Sequence, residues 1–453
     1  MERKYLSFLQ TWLKEPKRKP LVIRGARQVG KTWLVKHLAR VEGKDLVEIN
    51  FEKKPALATL FESNDPEQIL LNLSSAFNHP IQIQNSLLFL DEVQAVPEIL
   101  AKLRWFAEDL PQLPVIAAGS LLEFTLEKPP FSMPVGRIGY MHIEPLSFEE
   151  FLLAHQQQGL FNYIESFQWG MKIPDALHTQ LMQLFKEYLI VGGMPEAVAA
   201  WMESRSLSKI SEIHQNLIAT YRDDFNKYGS NIDLLEDVLN SVPEELGKKL
   251  IYKRICPDSK STDLKAAFQL LCKARVCHQI THSSANGIPL AAGLNRKFTK
   301  AIFLDVGLCN SMLKLRLDEI TQVDEIILIN NGGIAEQIVG QLLRTIDPPY
   351  MEPELYYWTR EEAGSSAEID YLIQHDRHIV PIEVKAGKEG SLKSLHLFMG
   401  LKKVPRALRL YSGHPHQTTV QVKDQMGNHV CYLLDSIPFY LIGQIHRLVQ
   451  ACV

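Results

Sequence analysis

Two groups of residues in this sequence have types and spacings that could do chemistry. The first is Gly25, Ala26, Arg27, Gln28, Val29, Gly30, Lys31 and Thr32: glycine, four residues, glycine, lysine, threonine. The glycines let the backbone curl so that several N–H groups face one anion, and a helix starting near Lys31 adds the positive end of its dipole. Such a loop cradles phosphates. Lys31 would reach the β- and γ-phosphates of a nucleoside triphosphate, and the Thr32 hydroxyl would complete the coordination of Mg²⁺. A tight turn that fits by chance is the alternative, but the apolar Leu21-Val22-Ile23 before the loop and the helix-like WLVKHLAR after it supply the context that the pattern needs. The matching acids lie in SLLFLDEVQ, Ser86 to Gln94. Its four consecutive apolar residues read as a buried parallel strand, and Asp91 and Glu92 stand at its carboxyl end, where open α/β sheets bind ligands. Asp91 would hold Mg²⁺ and Glu92 would polarise the attacking water. Capping of the next helix does not explain why two acids directly end so apolar a strand.

The second group is Glu336, Asp370, Glu383 and Lys385. In the strand-like HIVPIEVKAG, Glu383 and Lys385 are two apart and so emerge on one face. Asp370 precedes them by the length of one hairpin. Two carboxylates so placed can hold Mg²⁺ or Mn²⁺ while the lysine orients or deprotonates a water for phosphodiester attack. A solvated edge strand is the plainer alternative for a lone ExK.

These residues need elements to position them. LVEINFE reads as a strand by alternation, and DPEQILLNLSSAFN as the helix that returns the chain to the sheet. LPVIAAGS is a further strand ending at Ser120, which suits hydrogen bonding to a γ-phosphate or lytic water, or an ordinary turn. Arg137 lies on the loop before a fifth strand, IGYMHIEPL, where it suits an arginine finger for a neighbouring subunit or a surface charge. From about Asp233 to Leu308 the order is three helices and then a hairpin interrupted at SSANGIPL, the order of a winged helix, with Ser261 or Thr262 as N-cap of the third helix. Lys248, Lys249, Lys253, Arg254, Lys260, Lys265 and Lys273 make this stretch locally basic. They suit either a DNA face or the solvated face of a protein-docking module.

At 453 residues the chain exceeds one compact core, so two to four domains are expected. Hydrophobic content of 46% and charged content of 22% are ordinary for a globular protein, and a net charge of -3 gives no global argument for nucleic acid. No apolar run is long enough to span a bilayer, so no membrane role and a cytoplasmic location are expected. The six cysteines, Cys452 among them, show no CxxC pair and read as free thiols.

GARQVGKT, LLFLDEVQ, AAGS, GRI with EPLSFEEFL, and YLIVGGMPEAV at Tyr188 to Val198 together resemble the AAA+ ATPases of the prokaryotic group close to the archaeal ATPases and the STAND switch proteins. The resemblance runs over the whole chain. It implies an α/β fold: an AAA+ P-loop parallel sheet at 1–155, a helical lid and linker at 156–232, a winged helix at 233–310 and an α/β restriction-endonuclease-like domain at 311–453. It also implies that Gly193 and Pro195 belong to the lid, contact adenine, and move between ATP and ADP states. The C-terminal group resembles the PD-(D/E)xK fold, with Glu336 as the supporting acid. The expected function is Mg²⁺-dependent ATP hydrolysis controlling a nuclease-like module that binds DNA or RNA. The alternative is a nucleotide-gated switch or scaffold that takes a protein partner through the winged helix, its nuclease-like fold inactive, and a homo-oligomer suits either.

Overall fold

The computed structural model describes residues 2–127, 133–228, 231–315, 332–362, 365–385, 391–424 and 427–450. Cys452 and residues 128–132 of the loop before Arg137 lie outside these. Among the described residues no helix is long and apolar enough to cross a membrane, and the five cysteines described are unpaired.

Leu21–Arg24 (β1), Asp45–Asn50 (β2), Ser86–Asp91 (β3), Val115–Ala118 (β4) and Gly139–His142 (β5) form a parallel sheet in the order β2-β3-β4-β1-β5. Every residue of β3 is buried. Leu87 and Phe89 enter the core on one face and Leu88 and Leu90 the core on the other, as the strand period requires. That burial on both faces is why the sequence shows an unbroken apolar run ending in acids. The order also sets β1 between β4 and β5, so the loop leaving β1 lies beside Ser120 on one side and Ile143 on the other. Gly25 is required there, because a Cβ on it would stand 2.4 Å from the Ile143 carbonyl oxygen.

Helices Phe148–Ala154, Gln158–Ser166, Asp175–Val191, Pro195–Ser204 and Leu207–Asp223 follow the sheet. The first begins with a reciprocal capping box between Ser147 and Glu150. Three helices come next, Ile232–Glu244, Tyr252–Ile255 and Ser261–Lys273, and then the hairpin of Cys277–Ser283 (β6) and Leu294–Phe303 (β7). The third helix starts one residue earlier than the cap reading placed it: its N-cap is Lys260, which makes no side-chain capping bond, and Ser261 is already helical.

The hairpin is not closed on itself. β6 pairs in parallel with Leu355–Glu362 (β8), so the hairpin becomes the edge of an eight-stranded mixed sheet. The other strands are Ser365–His375 (β9), His378–Val384 (β10), Arg406–Tyr411 (β11), His416–Lys423 (β12) and His429–Pro438 (β13), in the order β12-β13-β11-β10-β9-β8-β6-β7. One hydrophobic cluster runs from Tyr5 and Leu9 through Tyr188 and Phe303 to Ile445 and Val449. The first sheet, the helices after it and the second sheet therefore share a core, and burial of that size resists separation of the parts.

Candidate functional site

Helix Lys31–Val41 follows directly on Gly30, whose φ of +93 places its backbone in the left-handed region. That turn directs the first N–H groups of the helix back toward the loop, the arrangement that binds phosphate. Lys31 is 7% exposed, and its ammonium donates to the carbonyl oxygens of Ala26 and Gly25 at 2.7 and 3.0 Å. Burial lowers its pKa to about 8 against the opposing pull of Glu92, Glu123 and Asp91. The Thr32 hydroxyl lies 3.2 and 3.3 Å from the two carboxylate oxygens of Asp91, and Asn50, at the end of the neighbouring strand, donates to the same carboxylate at 3.2 Å. Burial, with help from Glu92, raises the Asp91 pKa. A hydroxyl and a carboxylate converging next to the phosphate loop are hard oxygen donors that fit Mg²⁺.

Glu92 adopts a left-handed backbone, φ +52, and its carboxylate accepts from the Gln94 amide at 2.5 Å. Ser120 is buried at the end of β4. Gly193 sits where no side chain fits, 2.3 Å from the Leu146 carbonyl oxygen if it carried a Cβ. The Pro195 ring lies beside Gly30, 3.6 Å from where a Cβ would stand. The turn at Gly192–Gly193 thus leads into a helix whose first residue lies beside the phosphate loop. Arg137 is exposed and pairs with Glu108 at 2.7 Å.

Sequence reasoning missed several residues of this site. Arg3 donates to the Val29 carbonyl at 2.9 Å, to the Glu144 carbonyl at 2.7 Å and to Glu150 at 2.9 Å, bracing the phosphate loop from behind. Arg27, within the loop, makes a bifurcated pair with Asp224 at 2.7 Å. Asp305 accepts from the Gly193 N–H at 2.6 Å, from the Gly307 and Leu308 N–H groups at 3.0 and 3.2 Å, and from Gln341 at 3.0 Å. A Cβ on Gly192 would fall 2.0 Å from the Asp305 carboxylate, which explains the double glycine. Only GG itself was a signal in the sequence. Its partner lies more than a hundred residues away.

The second group assembles with one unforeseen member. β9 and β10 are antiparallel, and the Val384 N–H donates to Asp370 at 2.7 Å. Lys385 pairs with Glu383 at 2.6 Å. Glu336 opens helix Gly333–Leu343. Among these acids lies Lys300 of β7, fully buried, 2.9 Å from Glu336 and in contact with Glu368. Burial alone would lower the Lys300 pKa, but Glu336, Glu368 and Asp370 outweigh it and raise it. Asp370 is itself raised well above the usual carboxylate range by burial and by Glu336 and Glu383. Among the described residues no three His, Cys, Asp or Glu side chains converge to hold a metal ion. Lys300 and Lys385 supply two positive charges against the four carboxylates of Glu336, Glu368, Asp370 and Glu383.

Several basic residues of 248–273 have partners of their own. Lys248 lies 3.9 Å from Glu245, Lys249 covers the Phe298 ring, Lys253 donates to the Pro257 and Ser259 carbonyls, and Lys265 and Lys273 line a cavity elsewhere.

Comparison with known proteins agrees with this geometry in the first domain. Residues 17–152 match an AAA domain, and residues 182–319 and 331–433 each match a domain of unknown function, DUF8612 and DUF4143. No curated protein matches the chain. A Walker-type ATPase of Pyrococcus abyssi is similar over 69% of this chain and 95% of its own, at 15% identity and a TM-score of 0.44. The Orc1 protein of Aeropyrum pernix, solved in complex with DNA, covers 70% of this chain and 92% of its own at 13% identity and a TM-score of 0.30. A STAND protein of Pyrococcus horikoshii with a tetratricopeptide repeat sensor covers 76% and 45% at 13% identity and 0.27. The chain carries a P-loop ATPase domain of the AAA type, fused to a second, mixed-sheet region.

Proposed function

We propose that this chain is a Mg²⁺-dependent ATPase that works as a switch, in which the nucleotide state of the phosphate loop is passed through the Gly192–Gly193 turn to a C-terminal module that binds a protein partner and does not cut nucleic acid. The observation that carries this reading is the Asp305 carboxylate. It holds the Gly193 N–H, while Pro195, two residues on, has its ring beside Gly30. A shift of the lid over the nucleotide pulls on the residue that caps helix Val306–Met312 and bonds Gln341 of helix Gly333–Leu343. Two short steps thus join the phosphate loop to the second sheet.

In the first domain, the loop N–H groups and the Lys31 ammonium hold the β- and γ-phosphates and spread the charge that builds as the bond between them loosens. Thr32 and Asp91 would hold Mg²⁺, which supplies Lewis-acid neutralisation of the phosphate oxygens. Glu92 orients the water whose oxygen bonds to the γ-phosphorus as the bond to the bridging oxygen breaks, releasing ADP and phosphate. Gly193 and Pro195 close the nucleotide side, and Ser120 lies at the γ-phosphate end. At the second group, Glu336, Asp370, Glu383 and Lys385 serve as a structural network with Lys300.

The test measures ATP binding and turnover in Lys31→Ala and Glu92→Gln beside wild type, with DNA cleavage in Mg²⁺ and Mn²⁺ scored in parallel. Loss of binding in the first, and binding without turnover in the second, at a cost of at least about a hundredfold, is expected. Retained turnover in either rejects the ATPase assignment. Cleavage by wild type that Asp370→Ala abolishes rejects the binding-only reading.

A further inference from the structure

We propose a second ligand site, separate from the phosphate loop: the cavity between Glu123 of the first domain, helix Ser261–Lys273 and the β6–β7 end of the second sheet takes a phosphate-bearing small molecule of nucleotide size. The cavity measures about 390 Å³, within the range of roughly 300–1,000 Å³ for small-molecule sites. Lys265, Lys273, Arg275, Arg296 and Arg344 line it, against the carboxylates Glu123, Glu352 and Glu354.

These charges are not evenly spread. At the floor, Arg275 is already paired with Glu123 at 2.7 Å and Glu352 at 3.1 Å, and Arg344 holds Glu144 at 2.7 and 3.2 Å. At the opening, Lys265 and Arg296 are exposed and make no hydrogen bond or ion pair among the described residues, while Glu354 is occupied by the Tyr356 hydroxyl. The lining therefore carries five cations against the three carboxylates Glu123, Glu352 and Glu354, an excess of positive charge. Cationic rims with low-dielectric walls draw anions in.

Gln269, Gln279 and Thr281 add amides and a hydroxyl to the same lining. His278 also lines it, and burial, Arg344 and Arg275 hold its pKa well below the usual value, so the ring adds no positive charge. Cations for an anionic end and neutral polar groups for the rest describe a phosphate-bearing polar compound.

The experiment is calorimetric titration of the full chain with inorganic pyrophosphate, which reads the rim alone. It is run on Lys31→Ala, which disables the phosphate loop, and on the otherwise native chain saturated with Mg²⁺ and ADP. One site is expected in both, weakened at least tenfold when Lys265→Glu and Arg296→Glu are added at these exposed positions. No binding in either background, an unchanged affinity after the charge reversals, or a rim that takes short duplex DNA but not pyrophosphate would overturn the proposal. Because the ADP-saturated arm keeps Lys31, misfolding of Lys31→Ala cannot mimic failure, and loss of ATPase activity alone leaves the result intact.

Discussion

Lys31 and Lys300 are both buried lysines surrounded by three acids, yet they have opposite environments. Burial lowers the Lys31 pKa to about 8 against the pull of Glu92, Glu123 and Asp91, and among the described residues its ammonium bonds only to the carbonyls of Gly25 and Ala26. Lys300 contacts the carboxylates of Glu336 and Glu368 directly, and its pKa rises. A carbonyl dipole holds an ammonium loosely enough for a phosphate to recruit it. Two carboxylates hold it as a counter-ion. The same residue types thus make two different electrostatic settings, and the difference lies in which oxygens the lysine meets.

The largest effect that could break this comparison is expected from Lys300→Met. The change leaves Glu336, Glu368 and Asp370 facing one another without their cation, and breaking a buried pair costs about 3–5 kcal/mol. Urea denaturation followed by tryptophan fluorescence should show that loss. An unchanged midpoint would mean that Lys300 does not neutralise the acids. Recovery of the midpoint on addition of Mg²⁺ would put a cation site back among them and return the nuclease expectation.

The asymmetry also explains what could be read from the sequence. Gly25 to Thr32 and Asp91-Glu92 were legible because a phosphate loop and a strand-end acid pair are local: neighbours in the chain are neighbours in the site. Glu336, Asp370, Glu383 and Lys385 were legible as a set for a similar reason, since one hairpin and the strand period bring three of them together. Lys300 was not, because β7 meets helix Gly333–Leu343 only after the sheet has assembled, and nothing near residue 300 announces an acid partner. Arg3 and Asp305 were hidden in the same way. The hairpin β6–β7 was legible as an element but not as the edge of a larger sheet, because strand pairing between β6 and β8 is set by a partner more than seventy residues away.

A smaller effect is expected at Asp305, the link between the two regions. Burial is the main influence on its carboxyl, lifting its pKa from 3.8 to about 6 despite lowering by the N–H groups of Gly193, Leu308 and Gly307 and by Gln341. A group whose folded pKa is raised binds its proton more tightly when folded, so its stabilisation is complete below about pH 4 and is lost as pH rises through about 6. Asp305→Asn should remove that dependence and cost about 1–3 kcal/mol at neutral pH, because its amide turns a donor toward N–H groups that need an acceptor. Urea midpoints at pH 4.5 and 7 measure both. If Asp305→Asn keeps the wild-type slope with pH, the carboxyl is not what titrates. If it also leaves ATP turnover and partner binding coupled as before, the lid does not signal through it.

The smallest effect is expected at Arg137, and it sharpens the comparison by asking whether the phosphate site is complete in one chain. Its guanidinium is 52% exposed and paired with Glu108, which also receives Arg104. An exposed pair with a second cation at hand contributes little to stability, so Arg137→Ala should leave the urea midpoint unmoved. Turnover should likewise stay within about twofold of wild type in dilute solution, where no neighbour is present to receive the side chain. An arginine that completes another subunit's site is worth about 10³–10⁵ in rate, so a finger role cannot hide. It would show as turnover that rises with chain concentration in wild type and stays flat in Arg137→Ala. A concentration-independent rate in both places all the groups that act on ATP within one chain, leaving Lys31 and Glu92 to carry the chemistry without help from a partner.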